Sequence, residues 1–107
     1  MHKTSLTMMG LLLLAGCGKP EFTCGESHAY NAAQRIIERH LKSPSTAKFP
    51  LSNASTVTIS ASGKCKYQID SYVDSQNAFG ATVRTPFSIT VEGFPAKDEW
   101  LGSDLLM

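Results

Sequence analysis

Two stretches of strict two-residue periodicity constrain this chain more than anything else in it. In the first, Cys65, Tyr67, Ile69, Ser71 and Val73 alternate with Lys66, Gln68, Asp70, Tyr72 and Asp74. In the second, Val83, Thr85, Phe87, Ile89 and Val91 alternate with Arg84, Pro86, Ser88, Thr90 and Glu92. Successive strand residues point to opposite faces, so each stretch has an apolar face backed by a polar one. Such alternation predicts an antiparallel meander with one face buried and the other in water. A shorter run from Ser55 to Ser60, with Val57 and Ile59 on one side, predicts a strand before them, and Ala61-Ser62-Gly63 the turn between. Pro86 has no N–H to donate to a ladder, which places the third strand at an edge or at a bulge.

Upstream the period changes to that of a helix. Ala29, Ala32, Ala33, Ile36, Ile37, His40 and Leu41 form an apolar stripe, and Glu26, Gln34, Arg35, Glu38, Arg39 and Lys42 mostly fill the other face. Thr23-Cys24-Gly25-Glu26 fits a capping box with Thr23 as N-cap. The spacing predicts an amphipathic helix of about 16 residues ending near Lys42, with basic residues at its C-terminal end where the helix dipole favours them. Ser43-Pro44-Ser45-Thr46 reads as a stop followed by a short capped turn, and Pro50 prevents continuation. One N-terminal amphipathic helix on a three- to four-stranded antiparallel sheet is an α+β domain of two layers. The domain is expected over residues 24–95. The tail, 96–107, carries Trp100, Leu101, Leu105 and Leu106 among glycine and acids, which leaves open whether it packs back, adds an element or frays.

The first residues carry a different message. Lys3 precedes an apolar stretch from Leu6 to Ala15, the order of charge and apolar run in an export signal. That stretch falls short of the roughly 20 apolar residues needed to span a bilayer. Leu14-Ala15-Gly16-Cys17 follows it and resembles the lipobox of bacterial lipoproteins. The resemblance implies cleavage after Gly16, lipidation of Cys17, and a tether over 17–23 leading to the domain. Gly18 rather than Asp follows the cysteine, which in enterobacterial lipoproteins implies the outer membrane, with the domain in the periplasm. Two or more acyl chains give stable anchoring, at about 0.8 kcal/mol per buried methylene. Without residues 1–16 the chain has nine Lys plus Arg against nine Asp plus Glu, a formal charge of zero. No basic tract or basic–aromatic interleaving points to nucleic acid.

Assigning Cys17 to lipid leaves Cys24 and Cys65, an even number. In an oxidising compartment the economical assignment is a Cys24–Cys65 disulfide closing roughly 40 residues, worth about 3 to 4 kcal/mol in the chain-entropy model. A metal site built from Cys24, His28, His40 and Cys65 is the competing idea, but no CxxC or HxxxH pair supports it. No cofactor is implied.

Two strings, LKSPSTAKFP (41–50) and YVDSQNAFGATVR (72–84), resemble the signature of a small domain of bacterial and phage proteins. There it sits behind lipoprotein signals, membrane helices or zinc ribbons. The resemblance spans about residues 28–92 and implies a fold without implying an activity; Pro86 departs from it. In the second string, Asp74, Gln76, Asn77, Phe79 and Arg84 read as a protein-recognition surface with Phe79 as the apolar anchor. They read equally as loop chemistry, with Asn77 and Gly80 supplying backbone angles, Asp74 and Gln76 satisfying amides, and Phe79 capping the core. In the first string, Ser43, Ser45, Thr46 and Lys48 are either donors around a helix start or parts of a capped turn.

Three functional classes follow. A protein-binding or envelope-structural module should expose an apolar patch or a free sheet edge. An inhibitor or exclusion factor of mobile-element origin should offer one protruding loop with an exposed anchor. A hydrolase would need a pocket holding His28 or His40 beside a carboxylate, and no GxSxG elbow or catalytic set is present, so the expectation is a non-enzyme.

Overall fold

Apart from Cys65, the two alternating stretches pair with each other along their whole length. The computed structural model describes residues 21–107. Its elements are α1 (Glu26–Glu38), β1 (Thr58–Gly63), β2 (Lys66–Gln76), β3 (Thr82–Phe94) and β4 (Glu99–Leu106), with 3₁₀ turns at Pro44–Thr46 and Pro95–Lys97. The strands form one antiparallel sheet in the order β1-β2-β3-β4. The register between β2 and β3 runs from Lys66 opposite Glu92 to Gln76 opposite Thr82. One helix lies against this sheet, so the chain is α+β.

Burial follows the alternation. Ile69, Val73, Phe87, Ile89 and Val91 form the sheet's share of the core, and α1 presents Ala29, Tyr30, Ala33 and Ile37 to them. Small residues at 29, 32 and 33 let the helix approach closely, and Gly102 does the same from β4, where a Cβ would stand 3.0 Å from Ile36 Cδ1. Ser71, the polar member of the apolar face, has a physical reason for its place. The Tyr30 hydroxyl donates to the Pro50 carbonyl at 2.8 Å, so the Ser71 hydroxyl, 3.1 Å away, donates to Tyr30 Oη. Burial pushes the Tyr30 phenol up from its ordinary value, partly offset by hydrogen bonding with Ser71 and Gln34.

The helix departs from its predicted bounds at both ends. No capping box forms: Gly25 is the N-cap, without a side-chain cap bond, and Thr23 Oγ1 donates to the Glu21 carbonyl instead. The cause is the Cys24–Cys65 disulfide, which ties the residue before Gly25 to the sheet, with a Cα–Cα distance of 5.3 Å. The chain must then turn sharply into the helix, and Gly25 supplies a φ of 152° that side chains rarely permit. At the other end the α-helix stops at Glu38, and the i→i−3 bonds His40 N to Ile37 O and Leu41 N to Glu38 O unwind the last turn. Pro44 disfavours helix in the residue before it. His40, expected on the apolar stripe, is exposed as a result.

The first strand begins at Thr58 rather than Ser55, and its turn falls at Lys64-Cys65 rather than Ala61–Gly63. Cys65 therefore sits in the turn, not on β2, with a left-handed φ of 54°. Its carbonyl accepts from Gly93 N at 2.8 Å, and the disulfide holds its side chain. Gly93 is bare because a Cβ there would lie 2.5 Å from Cys65 Sγ and 2.9 Å from the Phe22 ring. Phe22 and Tyr67 both pack on Trp100, at 5.3 and 6.3 Å between ring centroids, so aromatic rings surround the staple.

The tail is the fourth strand, so the sheet extends through Leu106 and β3 is an inner strand. Pro86 is nonetheless accommodated, and the register says how. Residues directly opposite in an antiparallel pair either exchange both bonds or both point away. Asp74 bonds outward, to Lys48, through both its N–H and its C=O. Tyr72, two residues along, is in the same state, so its partner Pro86 turns its nitrogen away from β2. On that side β4 has already ended, opposite Ser88. The missing N–H therefore breaks no ladder bond.

Two substitutions test this account. Replacing Cys24 and Cys65 together by Ser should cost about 4 kcal/mol for a loop of this size, read as a melting temperature lower by more than about 15 °C. Tyr30→Phe should cost about 1–2 kcal/mol in denaturant unfolding, because Pro50 and Ser71 lose their shared partner.

Candidate protein-binding site at the hairpin tip

All five predicted site residues of the second string gather at one end of the β2–β3 hairpin, but they do different things. The loop 77–81 is closed by its own bonds. Asn77 N donates to the Ala81 carbonyl at 2.9 Å, and Gly80 N donates to the Asn77 carbonyl at 3.0 Å. Gly80 takes a φ of 82°, the left-handed position that ends a three-residue hairpin turn. Asn77 contributes its side-chain oxygen rather than an unusual angle: Oδ1 accepts from Phe79 N at 2.9 Å and Ala81 N at 3.1 Å.

Phe79, carried at the tip, is 94% exposed and does not cap the core. Asp74 and Arg84 face each other across the strands on the helix-free face. Arg84 donates from Nε and Nη2 to the two Asp74 oxygens at 2.8 and 2.9 Å, and its guanidinium lies 3.9 Å over the Tyr72 ring. This arrangement fixes a planar cation beside the loop. The Arg84 hydrogen bonds hold the Asp74 carboxyl below its ordinary 3.8. Gln76 is exposed, and its main-chain N–H donates to Thr46 Oγ1 at 2.9 Å.

That last bond joins the two singled-out strings. Thr46 belongs to the 3₁₀ turn after Pro44, and Lys48 forms a two-bond bridge with Asp74, at 2.8 and 2.9 Å. Residues 44–48 are thus a strap along the far part of β2. The short turn forms at Pro44–Thr46 without the expected Ser43 cap: Thr46 Oγ1 donates to the Ser43 carbonyl and accepts from Gln76 N, which is no N-cap.

Beneath the loop lies a cleft of about 260 Å³, walled by the chain leaving α1 and by the inner face of the hairpin. Sequence reasoning misses it, because the periodicity puts Lys42 in the helix and Val83 on the buried face. Val83 is 44% exposed, since α1 stops before it can cover the hairpin's end. His40 lines the cleft, and among the described residues no Asp or Glu lines it with His40. His28 is exposed on α1.

The disulfide pair is bonded, which removes both thiols from any metal site. Cys17 lies outside the described residues. Among the described residues, no three His, Cys, Asp or Glu side chains form a metal-binding group, and no helix is long and apolar enough to cross a membrane. No family model matches the chain, and no curated protein or solved structure matches it either.

Asn77→Ala should lower stability by about 1–2 kcal/mol through its two lost bonds, with the far-ultraviolet spectrum unchanged. For Asp74 the sign is set by its lowered pKa. Its contribution is present above the unfolded carboxylate value and lost as pH falls through the folded one. The melting temperatures of wild type and Asp74→Asn should therefore differ at neutral pH and converge in acid below about pH 4.

Proposed function

We propose that this chain is a lipid-anchored envelope protein whose domain binds another envelope protein through the tip of the β2–β3 hairpin. The observation that carries the binding half is Phe79, 94% exposed on a loop closed by its own hydrogen bonds. An aromatic side chain with few rotamers on an ordered loop loses little entropy on binding, which is what an interface anchor requires. Arg84, fixed over Tyr72, offers a planar donor beside it.

The anchoring half rests on Lys3, the apolar run and Leu14-Ala15-Gly16-Cys17, with Gly18 favouring the outer membrane. A bonded Cys24–Cys65 pair accords with an oxidising compartment. The disulfide marks the end of the sheet where the chain enters. The eleven residues of β2 put the loop at the other end, about 35 Å away at roughly 3.3 Å per residue. The anchor would then hold one pole and leave Phe79 free at the other.

A second reading, an inhibitor or exclusion factor, is favoured by the protrusion of this single loop. The two differ in what complex formation does to the partner: a blocking factor lowers the partner's activity, and a structural module leaves it unchanged.

Cys17→Ala should abolish fatty-acid labelling and move the full chain from the membrane to the soluble fraction. Retention with full labelling would sink the anchor. A photo-crosslinking residue at position 78 of the full chain should give a discrete protein adduct in intact cells. Phe79→Ala should remove that adduct while leaving the melting temperature within about 2 °C, since an exposed side chain contributes little to folding. An adduct indifferent to Phe79 would sink the binding reading.

A further inference from the structure

We infer that the end of the sheet bearing the disulfide rests on the phospholipid surface that holds the Cys17 acyl chains, an inference that rests on the anchoring reading above. The chain enters the domain at a fixed point. Phe22 packs on Trp100 at 5.3 Å between ring centroids, and Cys24 is then bonded to Cys65. Cys17 stands five residues before Phe22. A stretch of that length spans at most about 18 Å however it runs. An acylated Cys17 therefore keeps this end within that reach of the headgroups, at an effective concentration on the order of millimolar. Weak affinity is then enough for contact.

The side chains at this end suit a boundary between water and hydrocarbon. Phe22, Tyr67 and Trp100 cluster on the helix side of the sheet, each half-buried. Alternation puts Phe94 and Leu101 on the other side, and Leu101 is 53% exposed. Neither the Tyr67 hydroxyl nor the Trp100 indole N–H bonds to a described residue. Among the described residues no buried side-chain nitrogen or oxygen lacks a partner, so both polar ends reach water. A ring with an apolar body and a free polar end collects at the headgroup level of membranes. Lys64 and Lys97, exposed in the two neighbouring turns, bring amines that reach phosphates along their alkyl stems.

Charge is not the attraction. Glu21, Glu92, Asp98 and Glu99 stand against Lys64, Lys66 and Lys97 at this end, so an anionic surface gains nothing over a zwitterionic one. The tether decides for lipid over a protein partner, because the bilayer is the one surface it always holds near these rings. The hairpin tip lies about 35 Å off at roughly 3.3 Å per residue, beyond that reach.

The chain has a single tryptophan, which gives the test one reporter. The full chain is isolated from membranes, its acylation is read by mass spectrometry, and it is reconstituted in phosphatidylcholine nanodiscs. The lipid chains carry bromine near the carbonyl or near the methyl end, and bromine quenches indole fluorescence only at close range. Trp100 should lose intensity, and more to the near-carbonyl bromine, as a ring at headgroup depth does. The Phe79→Trp, Trp100→Phe double variant moves the indole to the hairpin tip and should lose none. A Gly-Ser insertion of about 20 residues after Gly18 adds roughly 25 Å of mean reach. Most of the Trp100 quenching should survive it, because a surface that adheres stays down when its tether slackens.

An acylated chain with Trp100 unquenched overturns the inference and leaves the anchor standing. Quenching lost with the longer tether overturns it as well, since nearness was then imposed by the tether alone. Equal quenching of both indoles overturns it in favour of a domain lying flat on the bilayer. A chain without acyl groups on Cys17 overturns the inference together with the anchoring reading.

Discussion

The eleven-pair ladder between β2 and β3 is the constraint on which everything else is hung. It makes an inner face long enough to seat α1 and still leave an overhang, and an outer face whose polar side chains bond one another across the strands. Gln68 illustrates the second point: its Nε2 donates to Ser88 Oγ at 2.7 Å, and its Oε1 accepts from Thr90 at 3.1 Å. Two attachments fix the remaining chain to this hairpin. At one end the disulfide joins the start of α1 to the turn before β2, and at the other the strap 44–48 joins the exit of α1 to the end of β2. A helix held at both ends needs little help from its own caps, and this one has no side-chain cap.

The ladder was legible in the sequence because one face of it is buried. A slip of one residue would send Ile69, Val73, Phe87 and Val91 into water, so alternation and register are the same information. Where that penalty is absent, reading fails. The stretch ASTVTISASG is rich in Ser, Thr and Ala, and little is lost when a strand there slides, so β1 starts three residues later than its pattern predicts. The tail, EWLGSDLL, carries Gly102 on the inner face and a register shift opposite Ser88–Thr90, which together hide a strand. Thr23 loses the cap position to a covalent bond made with a residue 41 positions away, a fact that local sequence cannot hold. Pro86 is accommodated by the point at which another strand stops.

The tip was legible as a set of residues but not as a set of roles. Five polar and aromatic residues within eleven positions marked it, yet what each does depends on register and loop closure. Asp74 and Arg84 are partners because the ladder sets them opposite. Phe79 is outside because Asn77 ties the loop into a turn too tight to fold back. The part played by Thr46 and Lys48 could not be seen in either string alone, since each is half of a contact whose other half lies about thirty residues away. The cleft follows from the difference in length between a helix rising about 1.5 Å per residue and a strand rising about 3.3 Å.

The strap has a consequence for how this protein lives among its own copies. β1 covers the edge of β2 only from Lys66 to Asp70, so the six residues from Ser71 to Gln76 would otherwise present bare main chain beside an apolar face. Such a segment is a template for another strand, and proteins commonly hide or interrupt one. Here the cover is a short piece of chain bounded by Pro44 and Pro50, which bridges the edge at Asp74 and Gln76 and cannot itself extend into a longer strand. The bonds that set the hairpin tip in place are therefore also the ones that keep the sheet from growing.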